Sequence, residues 1–149
     1  MNLKKLLPPT YLFIAVIAML ILHFAFLGIK LVSLPWNLFG LIPLVVGVTL
    51  NLIADGALHR AGTTVKPFQE STNLLTNGVY CISRHPMYLG FILILIGVAL
   101  LLGSIAPWGI IPAFTVLMEV IFIRVEERML EKKFGTTWAE YKKKVRRWI

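Results

Sequence analysis

The sequence predicts an all-α integral membrane protein: four transmembrane helices closed by a C-terminal amphipathic interfacial helix. Three observations carry that prediction. Of the 149 residues, 58% are hydrophobic and only 15% charged, with a mean hydropathy of +0.80; that is too apolar for a soluble chain of this size. Four apolar runs stand out: Tyr11–Ile29, Trp36–Ala54, Met87–Leu102 and Ile105–Ile123. Finally, an even number of crossings with both termini cytoplasmic puts fourteen of the fifteen Lys and Arg residues inside, leaving Lys30 alone outside.

The first, second and fourth runs have 19 residues each, and at helical rise each covers roughly 28 Å, about one hydrocarbon core. Tyr11–Ile29 lacks a small-residue cleavage site and is expected to be a span rather than a leader. His23, alone in mid-run, is expected to hydrogen-bond a neighbouring helix. Trp36–Ala54 ends in Asn51, Asp55 and His59 at four-residue spacing. That polar stripe either marks the exit from lipid or faces a headgroup. Met87–Leu102, at 16 residues, covers only about 24 Å. Its Gly90 and Gly97 lie seven apart on one face, where small residues permit close helix contact. Leu102-Gly103-Ser104-Ile105 is short enough only for a tight turn, so the last two runs form a helical hairpin.

Beyond Ile123 the fourth helix is expected to continue as a polar helix and stop at Phe134-Gly135. Thr137-Trp138-Ala139-Glu140 has capping-box spacing and starts another helix. In that stretch Phe134, Trp138, Tyr141, Val145 and Trp148 recur at four-three-four-three with basic residues opposite. This pattern suits a helix lying on the membrane interface. The net charge of +8 is assigned to cytoplasmic loops touching anionic lipid rather than to nucleic acid. Cys81 is the single cysteine, which excludes a disulfide framework and a cysteine metal cluster. With no Walker loop, HExxH or GxSxG, metal hydrolysis and serine catalysis have no foothold and no metal site is expected. One domain, residues 1–149, is the size expectation.

Arg84-His85-Pro86 sits where polar loop meets apolar run. Proline disfavours helix at His85 and suits the first helical position. The free N–H groups of that helix start, with Arg84, make an anion site for a small carboxylate or phosphate; the competing reading is a plain headgroup anchor. Glu126 and Glu127 are adjacent and point about 100° apart on a helix. One can bind an ammonium or a ribose diol while the other pairs with Arg84 or water; the competing reading is a solvated acidic turn. Glu119 is expected to share the face of Glu126.

These residues carry a resemblance. Leu75-Thr76-Asn77-Gly78-Val79-Tyr80, Arg84-His85-Pro86-Met87-Tyr88-Leu89-Gly90, then Glu126-Glu127, Leu130, Phe134-Gly135, Tyr141 and Lys144-Val145 resemble the signature of the isoprenylcysteine carboxyl methyltransferase and phospholipid N-methyltransferase superfamily. Gly62-Thr63-Thr64 and Pro67 are similar to the upstream loop of its prokaryotic members, so the motif region covers residues 61–145. The resemblance implies methyl transfer from S-adenosylmethionine, at the cytoplasmic membrane face, to a lipid or lipid-tethered acceptor. It also implies a cofactor pocket lined by Tyr80, Arg84, His85, Tyr88, Gly90, Glu126, Glu127, Tyr141 and Lys144, with Arg84 and Glu127 in the catalytic role. The chain departs from the pattern at Trp138, where a tyrosine is usual, at Cys81-Ile82-Ser83, and in ending at Ile149 without the closing proline. Two other readings compete. One is an NADPH-dependent sterol-type reductase, whose chains are usually much longer; the other is a non-catalytic lipid-binding protein. The bilayer and a lipid-type acceptor are the expected partners, and the sequence carries no signal for oligomeric state.

Overall fold

The structure, a computed structural model, describes residues 7–26, 29–62 and 73–149. Of the sequence expectations, Lys4, Lys5, Thr63-Thr64, Lys66 and Pro67 lie outside these residues. All regular secondary structure in the described residues is helical, apart from one isolated bridge between Lys30 and Ser104.

Helix α1, Pro8–Ala25, opens on two prolines whose missing N–H groups cost nothing in a first turn. It stops before the predicted end at Ile29. The reason lies in the loop that follows, whose backbone bonds to the turn after α3: Leu31 and Val32 N–H donate to the Gly103 carbonyl at 2.7 and 3.1 Å, and Ile105 N–H to Ile29 at 3.2 Å. His23, half-buried, joins the same end through Ser104 Oγ at 2.7 Å, its partner lying in the turn after α3 rather than on a helix. A 3-10 turn, Trp36–Gly40, leads into α2, Leu41–Arg60. Helix α3, Pro86–Leu102, ends at Gly103, whose φ of 68° is the left-handed cap that makes the predicted hairpin turn. After a further 3-10 turn, Ala106–Gly109, come α4, Ile110–Met118, a π-helical segment, Glu119–Ile123, and α5, Arg124–Lys144. Gly135, at φ 49° and ψ −115°, kinks α5 at the predicted stop.

Among the described residues three helical stretches are long and apolar enough to cross a membrane: Pro8–Ala25, Trp36–Arg60 and Ala106–Lys144. The third owes this to its first half, which carries Glu119 as its one charged residue before Arg124. The apolar α3, at 17 residues, is shorter, as its run predicted. Large apolar side chains on the outside, such as Phe13, Ile17, Phe24, Leu52 and Val116, match a lipid surround.

Helices α2 and α3 run antiparallel through two glycine pairs. Gly40, at the end of the turn that leads into α2, meets Gly97, and Gly47 meets Gly90, so the same seven-residue spacing recurs on both sides of the contact. A Cβ on Gly47 would stand 2.5 Å from the Gly90 carbonyl oxygen, and one on Gly97 2.7 Å from that of Gly40. Only glycine permits this backbone approach. The main core, with Tyr11, Met19, Tyr88, Phe91, Leu95, Phe114, Met118 and Phe122, joins α1, α3, α4 and the π segment. A smaller cluster of Trp138, Tyr141 and Val145 packs with Leu74, Leu130 and Phe134. The tail therefore departs from expectation. Trp138 is only 1% exposed, and three of the five residues expected to lie on the membrane interface are packed into protein. The kink at Gly135 turns that apolar face onto the loop around Leu74 and Tyr80.

Candidate functional site

The loop before α3 is shaped by Gly78, at φ 62°, which starts a 3-10 turn through Cys81. The turn buries Tyr80, whose hydroxyl reaches the Ala54 carbonyl at 3.5 Å. Its carbonyl accepts from the Tyr141 hydroxyl at 2.6 Å, tying loop to tail. Burial pushes the hydroxyls of both tyrosines upward, Tyr141 to about 12; they stay protonated donors. Ser83 is fully buried, its Oγ accepting from His85 N–H at 3.1 Å and donating to the Arg147 carbonyl at 2.9 Å. Arg84 N–H donates to the Arg146 carbonyl at 3.1 Å. His85 then adopts φ −129° and ψ 62°, the non-helical conformation that the following proline imposes, and no side chain caps α3.

What this scaffold brings together is a compact group of charges. Glu127 Oε1 lies 3.1 Å from Arg84 Nη1, 3.4 Å from His85 Nε2 and 3.2 Å from Arg147 Nε. Its Oε2 accepts from Arg147 Nη2 at 2.6 Å. Glu126 accepts from the Tyr88 hydroxyl at 2.7 Å through Oε1, and its Oε2 stands 3.5 Å from His85 Nδ1. His85 thus has a carboxylate on each ring nitrogen. A neutral imidazole donates from only one of them, so this setting selects the imidazolium. Burial opposes that charge, but the bonds to Glu126 and Glu127 outweigh it and the histidine is held above 6.5. Burial likewise opposes the Glu127 carboxylate, and here His85, Arg147 and Arg84 overcome it and hold the group down to about 2.

The Arg84 side chain, 7% exposed, has cationic capacity left over. Its Nε and Nη1 make no hydrogen bond, although Nη1 stands in the 3.1 Å ion pair with Glu127 Oε1. The guanidinium stacks 5.6 Å from the centre of the Trp138 ring, and the indole Nε1 is also buried without a partner. Two donors on the cation and the indole N–H beside it, none of them hydrogen-bonded, fit a small anion, and the more accessible carboxylate nearby, Glu126, fits a cation or a hydroxyl pair.

Of the residues expected from the resemblance, Tyr80, Arg84, His85, Tyr88, Glu126, Glu127 and Tyr141 meet here. Gly90 lies instead against Asn51 and Gly47, serving the α2–α3 contact. Lys144 is exposed at the end of α5, outside the charge network. Ser83 and Arg147 belong to the network and were not foreseen. Glu119 is also placed differently. It pairs with Arg124 and Arg147, both at 3.1 Å, and shares Arg147 with Glu127 rather than a face with Glu126.

Comparison with known proteins bears on the same residues. A sequence profile described as phospholipid methyltransferase matches residues 36–137, which include the Arg84–Gly90 motif and both glutamates. The chain belongs to the phospholipid methyltransferase family. Within curated relatives of this family member, it is 42% identical over 96 residues to the protein-S-isoprenylcysteine O-methyltransferase of Saccharomyces cerevisiae, covering 60% of this chain and 39% of the yeast protein. It is 32% identical over 111 residues to a probable protein-S-isoprenylcysteine O-methyltransferase of Oryza sativa, covering 71% and 56%. The solved structure of a eukaryotic intramembrane Ras methyltransferase, an isoprenylcysteine carboxyl methyltransferase, superposes with a TM-score of 0.68 at 26% identity, over 95% of this chain and 52% of that one. The chain therefore spans about half the length of the relatives it matches, or less.

Proposed function

We propose that this family member is a membrane methyltransferase that uses S-adenosylmethionine at the cytoplasmic face and acts on a lipid-tethered carboxylate. The observation that carries the reading is the set of unmatched donors, Arg84 Nε, Arg84 Nη1 and Trp138 Nε1, beside the acidic pair and the imidazolium. In this reading Arg84 and Trp138 bind the cofactor's carboxylate, and Glu126 takes its ammonium or ribose hydroxyls. Glu127 acts one step back, as the counter-charge that keeps Arg84 and His85 in place. Tyr80, Tyr88 and Tyr141 wall the pocket through the bonds already described. The cofactor supplies a methyl group on a sulfonium, and the protein's part is to bind and orient it.

The nature of the acceptor follows from protonation. An ammonium acceptor must lose a proton before it attacks, whereas a carboxylate needs no base. His85 is raised by the carboxylates on its two ring nitrogens, and Glu127 is held down to about 2 by its cationic neighbours. A carboxylate so stabilised is a weak base, which favours an acceptor that needs none. The curated relatives above are named as isoprenylcysteine O-methyltransferases, in line with this choice. Four crossings with both termini cytoplasmic, in a single unit whose motif region is 61–145, complete the proposal. Titrating the purified protein with S-adenosylmethionine and, separately, with NADPH tests it: binding of the first alone supports the methyltransferase, binding of the second alone a reductase, and binding of neither a lipid-binding protein.

A further inference from the structure

Arg147 is where the tail meets the charge cluster. Two bonds deliver it there: the carbonyl of Arg146 accepts from Arg84 N–H, and that of Arg147 from Ser83 Oγ. The guanidinium then grips both oxygens of Glu127, Nη2 at 2.6 Å and Nε at 3.2 Å, while Nη1 holds Glu119 Oε1 at 3.1 Å. A side-on fork of this kind fixes the plane of a carboxylate as well as its place. The helix is adapted to it. Eight residues of regular α-helix would leave Glu119 and Glu127 about 80° apart around the axis. The wider π turn from Glu119 to Ile123 takes up part of that excess, so one arginine spans both acids. Such single π turns inside α-helices recur at functional sites. Without Arg147, Glu127 Oε2 has no bond, and Oε1 keeps only the 3.1 and 3.4 Å contacts to Arg84 and His85.

We propose that Arg147 is a positioning residue of the cofactor site: it clamps Glu127 so that this carboxylate orders Arg84 and His85, and it thereby holds the Arg84 donors that make no hydrogen bond in place for the anionic end of the ligand. The inference rests on the cofactor reading above. The bland alternative is a surface ion pair that fastens the tail, which contributes little and nothing specific to binding.

The test uses the full chain in nanodiscs of fixed lipid composition. S-adenosylmethionine affinity is measured for wild type, Arg147→Gln, Arg147→Lys, Glu127→Gln and the double variant Arg147→Gln/Glu127→Gln. Separately, with no cofactor present, the Glu127 carboxylate is titrated by carbon NMR in wild type and in the Arg147 variants. Loss of the fork is expected to weaken binding about tenfold. Lysine should restore only part of it, since it returns the charge without the fork. The double variant should bind no worse than Glu127→Gln alone, because the two residues act through one contact. In the cofactor-free protein Glu127 should titrate at higher pH once Arg147 is gone, Arg84, His85, Glu126 and Glu119 being its remaining charged surroundings. Wild-type affinity in Arg147→Gln, or losses that multiply in the double variant, overturns the proposal. An unmoved Glu127 titration does so too, and it decides the point even if the wild type fails to bind S-adenosylmethionine, a result that sinks the functional reading instead. Should Arg147→Gln not fold, Arg147→Lys carries the same comparisons.

Discussion

Replacing Arg84 by glutamine removes the cation without stranding its partner. Glu127 keeps both Arg147 contacts and His85, so no buried carboxylate is left uncompensated and the protein should fold. What disappears is the pair of unmatched donors, Nε and Nη1, stacked against Trp138. If one charge-assisted hydrogen bond to the cofactor's carboxylate is lost, the cost is about 1.5–3 kcal/mol, or roughly 10- to 150-fold in affinity. Losing both donors places the effect at the upper end of that range. Arg84→Lys should fall between, keeping charge but not the planar fork. Isothermal titration of the purified variants with S-adenosylmethionine reads this directly, and circular dichroism checks the fold. Wild-type affinity in a folded Arg84→Gln protein would refute the assignment of Arg84 to the cofactor.

Other outcomes follow from the same structure. Gly97→Val should loosen the α2–α3 contact and cost about 1–3 kcal/mol by overpacking, seen as a lower unfolding midpoint in detergent; an unchanged midpoint means the helices do not approach as closely as described. Single cysteines at Lys30 and Lys143, in a background where exposed Cys81 is replaced, should label from opposite sides of the membrane, and labelling of both from one side contradicts an even number of crossings. The charge cluster should give stability a bell-shaped pH dependence. Glu127, held near 2 against an ordinary 4.5, contributes stability above pH 4.5 that is lost as pH falls toward 2. His85, held above its ordinary 6.5, contributes stability below 6.5 that is lost as pH rises through its raised value. Thermal denaturation across pH in wild type and Glu127→Gln reads the acid limb, which should flatten in the variant.

The apolar runs and the hairpin turn were legible because membrane spans announce themselves by length and composition. Gly90 and Gly97 revealed one side of the α2–α3 contact by spacing alone. Their partners Gly40 and Gly47 have the same spacing, but Gly40 lies at the edge of its run and raised no signal. The end of α1 was missed because it is set by backbone bonds to Gly103, far away in sequence. The amphipathic pattern of the tail was read correctly as one-sided, yet periodicity does not say whether the apolar side meets lipid or protein, and Leu74 and Tyr80 turned out to cover it. At the site, Arg84, His85 and the two glutamates were found through local motif chemistry. Arg147 was hidden among basic tail residues, since nothing in a run of lysines and arginines marks the one that a kink at Gly135 returns to Glu127. Glu119 was assigned to the wrong neighbour because a regular helix was assumed where the chain widens into a π turn.

The proposed reaction transfers a methyl group to a carboxylate on a lipid-tethered acceptor. The direct measurement incubates the protein in bilayers with S-adenosylmethionine labelled in its methyl group and two prenylated acceptors, one ending in a free carboxylate and one in an amine. Label is expected only in the first, with release as volatile methanol by mild alkali, as a methyl ester requires. Label that resists alkali, or that enters the amine acceptor instead, would contradict it.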